Sequence, residues 1–446
     1  MNQMTTATRP ATEPETPFPG WSTDRLDDRI VNPDIYAEPG AIHAVYRELR
    51  ETDAIHWTEP AGFRPFWSIT KHDDIRTISK ANDRFINAER TYLTPYETES
   101  WIKETTGDSH LFRTLVDLDD PLHRSLRAVT NDWFQPKNLK VMEANIRQIA
   151  RDHVERMAGM GGECDFVNEV SLWYPLRVIM HILGLPASEE TWMLKMTQEM
   201  FGSGDPDVIA RSEKLTRGAG ASGGEAVDVT KLAAEVAEYF GAIIVDRQSN
   251  PKDDVSTVIA HAQVDGAPID LRHALSYFAI IATAGHDTTS SSTAAGLHQM
   301  IENPDQLAAF RADPSLAPRA VEESIRWETP VKHFMRTATE DTRIGDKVIK
   351  AGDACTLFYW SGNRDADVFA AADRFDITRT PNPQIAFGHG VHQCLGLHLA
   401  RMEMRILYEE LLPRLDHIEL TGDPAWTRSN FVSGLKTLPI RYRMRD

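Results

Sequence analysis

The chain has 446 residues, with 48 Lys and Arg against 66 Asp and Glu, a formal charge of −18 at pH 7. An acidic balance of that size excludes a general nucleic-acid binder, which needs a basic footprint. Three widely spaced cysteines, Cys164, Cys355 and Cys394, form no disulfide framework and point to a reducing, cytoplasmic setting.

Residues 1–20 carry Pro10, Pro14, Pro17 and Pro19 and no apolar stretch, so they read as a disordered tail and not as a signal peptide. Residues 21–446 read as one mainly α domain with a small β-sheet region. A short β-rich segment is expected over residues 55–69, around Trp57, Phe66 and Trp67. Leu139, Met142, Ile146 and Ile149 repeat at three and four residues, which predicts a helix ended by Gly161 and Gly162. Residues 218–224, rich in Gly, Ala and Ser, read as a mobile loop. A second periodic helix covers residues 228–248, with Leu232, Val236, Phe240 and Ile243 on one face.

The longest apolar stretch, residues 277–284, falls far short of the roughly 20 needed to span a bilayer, so no membrane is expected. It lies inside residues 270–302, which predict a central helix of about 50 Å. The middle of that segment, Thr283-Ala-Gly-His-Asp-Thr-Thr-Ser-Ser-Ser-Thr293, is poor helix-forming sequence. Two readings stand: two helices with Asp287 or Thr288 capping the second, or one helix opened locally by side-chain hydroxyls beside a reaction site. Residues 337–359 again read as β.

The most informative segment is Phe387-Gly-His-Gly-Val-His-Gln-Cys394-Leu-Gly396, followed by an amphipathic helix with Leu399, Met402, Ile406 and Leu407 as its apolar stripe. Cys394 is expected at that helix's N-terminus, where free N–H groups and the dipole favour a thiolate. Gly388, Gly390 and Gly396 let the backbone approach a large flat object. A thiolate presented in this way suits the axial ligand of a haem iron. Two other readings compete: Cys394 as a small buried hydrophobe, or His389, His392, Cys394 and His398 as a zinc site, as in a hydrolase. The zinc reading leaves the three glycines unexplained.

The run F-G-x-G-x-H-x-C-x-G-x-x-L-A-R over residues 387–401 resembles the haem-binding signature of the cytochrome P-450 monooxygenases and matches at every fixed position. Further matches follow the family's order over residues 40–440. Glu323-Ser-Ile-Arg326 resembles its E-x-x-R motif, Ala284-Gly-His-Asp-Thr-Thr289 its oxygen-binding motif, and residues 120–127 the segment beside the haem propionates. Ala372 stands where many members have Pro.

The resemblance implies a single large cytochrome P-450 fold carrying haem b. It implies Cys394 as iron ligand, and His123, Arg127, Arg336 and His392 as propionate donors. Phe387, Gly388, Gly396 and Ala284 would lie against the haem. Asp287 and Thr288 become the proton-delivering pair, a role that also argues against a haem sensor or carrier without turnover. Glu323, Arg326 and Arg374 form a structural ion network. His286 either joins the relay or packs behind the helix.

At this length a haem domain leaves no room for a fused reductase, so a [2Fe-2S] or similar ferredoxin with an NAD(P)H-dependent ferredoxin reductase is expected. Arg124, Arg127, Lys137, Lys140, Arg147 and Arg151, against Asp132 and Glu143, form either a docking patch for it or an ordinary solvated face. The substrate implied is a small hydrophobic molecule, oxidised with O2. The likeness is to the bacterial branch that hydroxylates α-terpineol and related monoterpenes. Ile280, Thr283, Val331, Phe334, Phe431 and Val432 are the expected pocket residues.

Overall fold

Three helices, Leu26–Val31, Pro33–Tyr36 and Pro39–Thr52, open the described chain and lead into a hairpin, β1 (Ile55–Thr58) and β2 (Phe66–Ile69), with Trp57 opposite Trp67. Helix α1 (His72–Lys80) and the short β3 (Phe85–Ile86) follow. The computed structural model describes residues 25–111, 113–201, 205–208, 210 and 229–445. The tail expected over residues 1–20 and the loop expected over residues 218–224 lie outside these.

The main helices around the large core include α2 (Leu122–Asn131), α3 (Glu143–Ala158), α4 (Trp173–Ile182), α5 (Glu190–Phe201) and α6 (Val229–Ser249). They continue with α7 (Leu271–Ala284), α8 (Asp287–Glu302), α9 (Ala317–Glu328) and α10 (Leu397–Leu411). A three-residue strand, β4 (Glu163–Asp165), precedes α4. Strands β5 (His333–Ala338) and β6 (Ala354–Phe358) follow α9, and β7 (Leu415–Leu420) and β8 (Pro439–Met444) close the chain.

One sheet runs in the order β1-β2-β6-β5-β3, with only the β2–β6 pair parallel; a second runs β7-β8-β4. The helices share one large core, in which Phe240 of α6 stacks on Phe278 of α7 with ring centroids 5.0 Å apart. Tyr408 of α10 donates to the carbonyl of Thr293 in α8, and its hydroxyl lies 3.1 Å from that of Ser324 in α9. These bonds lock the three helices that frame the site. Among the described residues, no helix is long and apolar enough to cross a membrane.

Two boundaries differ from the sequence reading. The helix through Ile146 stops at Ala158 with Gly159 as its cap, ahead of Gly161 and Gly162, whose positive φ angles instead shape the turn into β4. Leu139 and Met142 belong to short turns before α3, so the periodic stripe spans three elements.

Candidate active site

The loop before α10 wraps back on itself. Cys394 donates its N–H to the carbonyl of Phe387 at 2.8 Å, and the Arg401 guanidinium sits 4.7 Å above the Phe387 ring. Gly390 has φ of 76°, and a Cβ there would lie 2.2 Å from the Ser79 carbonyl of α1, so only glycine fits. A Cβ on Gly396 would meet nothing within 4 Å and would project into the cavity that this residue lines. Helix α10 begins at Leu397, so Cys394 precedes the helix by three residues, and the N–H of Gly396 is the group that bonds its sulfur.

Cys394 faces a largely apolar cavity of about 220 Å³. Burial pushes its thiol up, against the Gly396 N–H and the charges of Arg127 and Arg401. A cation at the sulfur would reverse that balance.

One wall of the cavity gathers arginines and histidines from three parts of the chain. His123 and Arg127 come from α2, Arg336 from β5 and His392 from the cysteine loop. The His123 and His392 rings lie 4.1 Å apart, and Arg127 donates to the carbonyl of Gln393 at 2.6 Å. Burial and then Arg336, His123 and Arg127 push His392 down to about 2. Burial lowers His123, Arg127 and Arg336 as well. His123 Nε2 is buried with no hydrogen-bond partner. Two desolvated guanidiniums beside two imidazoles, one with an orphaned ring nitrogen, make a site for a dianion. With the glycine-lined wall and the thiol beside them, these residues fit haem b and its two propionates.

The facing wall is the join of α7 and α8. Gly285 and His286 keep right-handed backbone angles, but the His286 N–H reaches back to Thr283 at 3.4 Å, a three-residue spacing. Thr288 Oγ1 donates to the Ala284 carbonyl at 2.8 Å across this opening. The segment is therefore two hydrogen-bonded helices joined by an opening bridged by a hydroxyl. Neither Asp287 nor Thr288 caps the second, because His286 holds the cap position with no side-chain cap bond. Ala284, Asp287 and Thr288 all line the cavity. Gly285 lines the cavity too, and a Cβ there would lie 2.4 Å from Ile179 of α4.

Ile280, Thr283, Val331, Phe334, Phe431 and Val432 line the same cavity. Val331 and Val432 are joined by a β-bridge, and the Phe334 and Phe431 rings are 5.5 Å apart. Thr283 adds no free polar handle, since its hydroxyl donates to the Ala279 carbonyl at 2.7 Å. Sequence reasoning missed Tyr92, whose ring lies 4.8 Å from Phe431, and Glu403, whose carboxyl burial holds well above the usual carboxylate range.

Three expectations are corrected. Glu323 and Arg326 form a fully buried pair at 2.7 Å, but their third partner is Arg379, at 3.1 Å from Glu323. Arg374 is exposed and contributes only its carbonyl to Arg326, because the chain turns back five residues later. Arg147 and Arg151 are bound by Glu409 and Glu410 of α10 and do not form an open basic face. His389, His392, Cys394 and His398 are not gathered into a metal site; no group of three or more such ligands occurs among the described residues.

A family model described as Cytochrome P-450 matches residues 35–444. Cytochrome P-450-terp from a Pseudomonas species is 42% identical over 416 residues, covering 93% of this chain and 96% of that one. Linalool 8-monooxygenase from Pseudomonas putida is 32% identical over 412 residues, covering 92% and 98%. The crystal structure of CYP108D1 from Novosphingobium aromaticivorans superposes with a TM-score of 0.86 at 40% identity, covering 94% of this chain and 98% of that one.

Proposed function

The chain belongs to the cytochrome P-450 family, and from that premise we propose that it hydroxylates a C–H bond of a small hydrophobic substrate, of monoterpene or alkyl-aromatic type. The observation that carries this reading is the apolar cavity shared by Cys394, the basic wall and the Ala284–Thr288 opening. The relation to a linalool 8-monooxygenase supports the substrate class.

Haem b, when bound, supplies the oxidising chemistry: one atom of O2 enters the C–H bond and the other leaves as water, with two electrons and two protons consumed. Cys394 would hold the iron as a thiolate and push electron density toward it. His123, Arg127, Arg336 and His392 would bind the propionates by charge-assisted hydrogen bonds. Phe387, Gly388 and Gly396 would pack on one face of the ring, and Ala284 would leave room on the other. Thr288 would position a proton donor and Asp287 would connect it to solvent, in a largely apolar pocket. The apolar wall around Phe334 and Phe431 orients a hydrocarbon without a polar anchor.

Electrons would come from a [2Fe-2S] or similar ferredoxin served by an NAD(P)H-dependent reductase, in the cytoplasm. Lys137 and Lys140 are exposed and are the favoured contacts for an acidic partner, since Arg147 and Arg151 are already paired. The test is optical titration of the purified ferric protein with α-terpineol, p-cymene, a fatty acid and a steroid. A low- to high-spin shift with the two small ligands alone supports the reading. A shift with only the large ones removes the substrate class, and the lack of any Soret band refutes the haem site.

A further inference from the structure

Three aromatic rings meet on the wall of the main cavity. Their centroids lie 4.8 Å apart for Tyr92 and Phe431, 5.5 Å for Phe334 and Phe431, and 5.9 Å for Tyr92 and Phe334. Phe334 is held by β5, whereas Tyr92 and Phe431 stand in segments with no helix or regular strand of their own. Such segments keep their place only through bonds to their neighbours.

His333, the first residue of β5, is fully buried, and its ring reaches both segments. Its Nε2 accepts the backbone N–H of Leu93, next to Tyr92, at 3.0 Å. Its Nδ1 lies 3.0 Å from the carbonyl of Asn430, next to Phe431. An amide N–H only donates and a carbonyl only accepts, so the partners dictate a lone pair on Nε2 and a proton on Nδ1. Burial pushes the ring down to about 3, which keeps it in that neutral form. The ring centroid also lies 5.4 Å from that of Phe431. The main chain of the strand bonds the same segments, through the Met335 N–H to Thr91 and the Lys332 N–H to Phe431. Those bonds set how each segment runs beside β5. The imidazole ties both at once, at the residue adjoining each cavity ring.

We propose that His333 is a positioning residue for substrate selection: its imidazole clamps the Leu93 and Asn430 segments together and so fixes Tyr92 and Phe431 against Phe334 as one wall. The inference rests on the reading of the main cavity as the substrate pocket. A hydrocarbon offers no polar handle, so its orientation depends on the shape of the wall it meets. Without the clamp, the buried Leu93 N–H and the Asn430 carbonyl lose their partners, and the segments shift to find others. The wall then takes several shapes, and several positions of one substrate become open to attack.

The test has three arms, all on the haem-loaded protein. The first is hydrogen exchange of the native protein, in which the Leu93 amide should be protected about a hundredfold or more over a free amide. Exchange at the free rate overturns the clamp without any variant having to fold. The second arm compares the native protein with His333→Phe, a ring of similar size without either bond, by optical titration with imidazole and 4-phenylimidazole. Imidazole has no group to fill an apolar wall and should bind within about twofold of native, while 4-phenylimidazole should weaken about tenfold. His333→Gln can still accept from Leu93 and His333→Asn can still donate to Asn430, so each should recover part of that loss. Native affinity for both ligands in His333→Phe, or equal weakening of both, overturns the proposal. Should that variant take up no haem, native affinity in both His333→Gln and His333→Asn does the same.

The third arm reads products from whichever of α-terpineol and p-cymene shifts the spin state. One main product in the native protein should become a mixture in His333→Phe, and an unchanged pattern overturns the positioning role. If neither terpenoid binds the native protein, the substrate reading fails, while the phenylimidazole comparison still decides on His333.

Discussion

Arg379 holds its Nε 3.1 Å from Oε2 of Glu323, and the same carboxylate grips Arg326 through two bonds of 2.7 and 2.8 Å. Arg326 spends its remaining donors on the carbonyls of Asn363, Ala372 and Arg374. Helix α9 is thereby tied to the chain that leads into the cysteine loop, and the buried charges are paired and hydrogen-bonded. Removing one partner of such a network costs about 3–5 kcal/mol. Arg326→Ala and Glu323→Ala are therefore expected to lose that much in urea unfolding and to purify with less haem. Arg374→Ala, which removes an exposed side chain and keeps the carbonyl, should stay within about 0.5 kcal/mol of the native protein. Equal losses in Arg374→Ala and Arg326→Ala would show the assignment of Arg379 to be wrong.

Thr288 closes the opening between α7 and α8 by donating to Ala284, yet it also borders the cavity. Thr288→Ala leaves the apolar wall and the basic wall intact, so haem and substrate binding should be unchanged. Reducing equivalents should instead appear as hydrogen peroxide, while Thr288→Ser should restore much of the product. Peroxide and product counted against NADH consumed decide the matter. Tight coupling in Thr288→Ala would remove the residue from the relay.

Gly390 and Gly396 are six residues apart and predict opposite failures. At Gly390 an added Cβ meets the Ser79 backbone at 2.2 Å and the φ of 76° is strained for alanine. Gly390→Ala should therefore lower thermal stability. At Gly396 the Cβ enters open cavity, so Gly396→Ala should fold normally and bind haem more weakly. Circular dichroism melting beside a haem titration separates the two. Native haem affinity in Gly396→Ala would mean that this wall does not pack on the ring.

The difference between these two glycines marks what a sequence can carry. The cysteine loop was legible because its chemistry needs particular residue types at fixed, short spacing, and Ile280 and Thr283 share a helix with the Ala284–Thr289 motif. Arg379 was not, because Arg374 and Arg379 are equivalent as residue types and only the turn between them decides which guanidinium folds back on Glu323. The pairing of Arg147 with Glu409 and Glu410 joins residues more than 260 positions apart, beyond any local charge count. Tyr92 reaches the cavity through a stretch with no motif, and its place is set by packing on Phe334 and Phe431. The opening at His286 could be read from composition, but not the distant partners of its ring, Thr197 of α5 and the Leu172 carbonyl.

His392 and His123 give the basic wall a measurable pH signature. Burial, then Arg336, His123 and Arg127, hold His392 at about 2 in the folded chain, against a usual histidine value near 6.5. The unfolded chain takes up a proton near 6.5 and the folded one does not. Without cofactor, stability is then full above pH 6.5 and falls as the pH drops toward 2, by about 1.4 kcal/mol per pH unit for His392. His123, also lowered by burial and by Arg127, adds in the same direction. Two propionates against the rings favour the protonated forms and oppose that loss. Urea unfolding at pH 7 and pH 5 should show the cofactor-free protein losing about 2 kcal/mol more than the haem-loaded protein through His392 alone. His392→Phe should shrink the gap by the same amount. Parallel pH curves for the two forms would mean that the anion sits elsewhere, and the assignment of this wall to the propionates would be withdrawn.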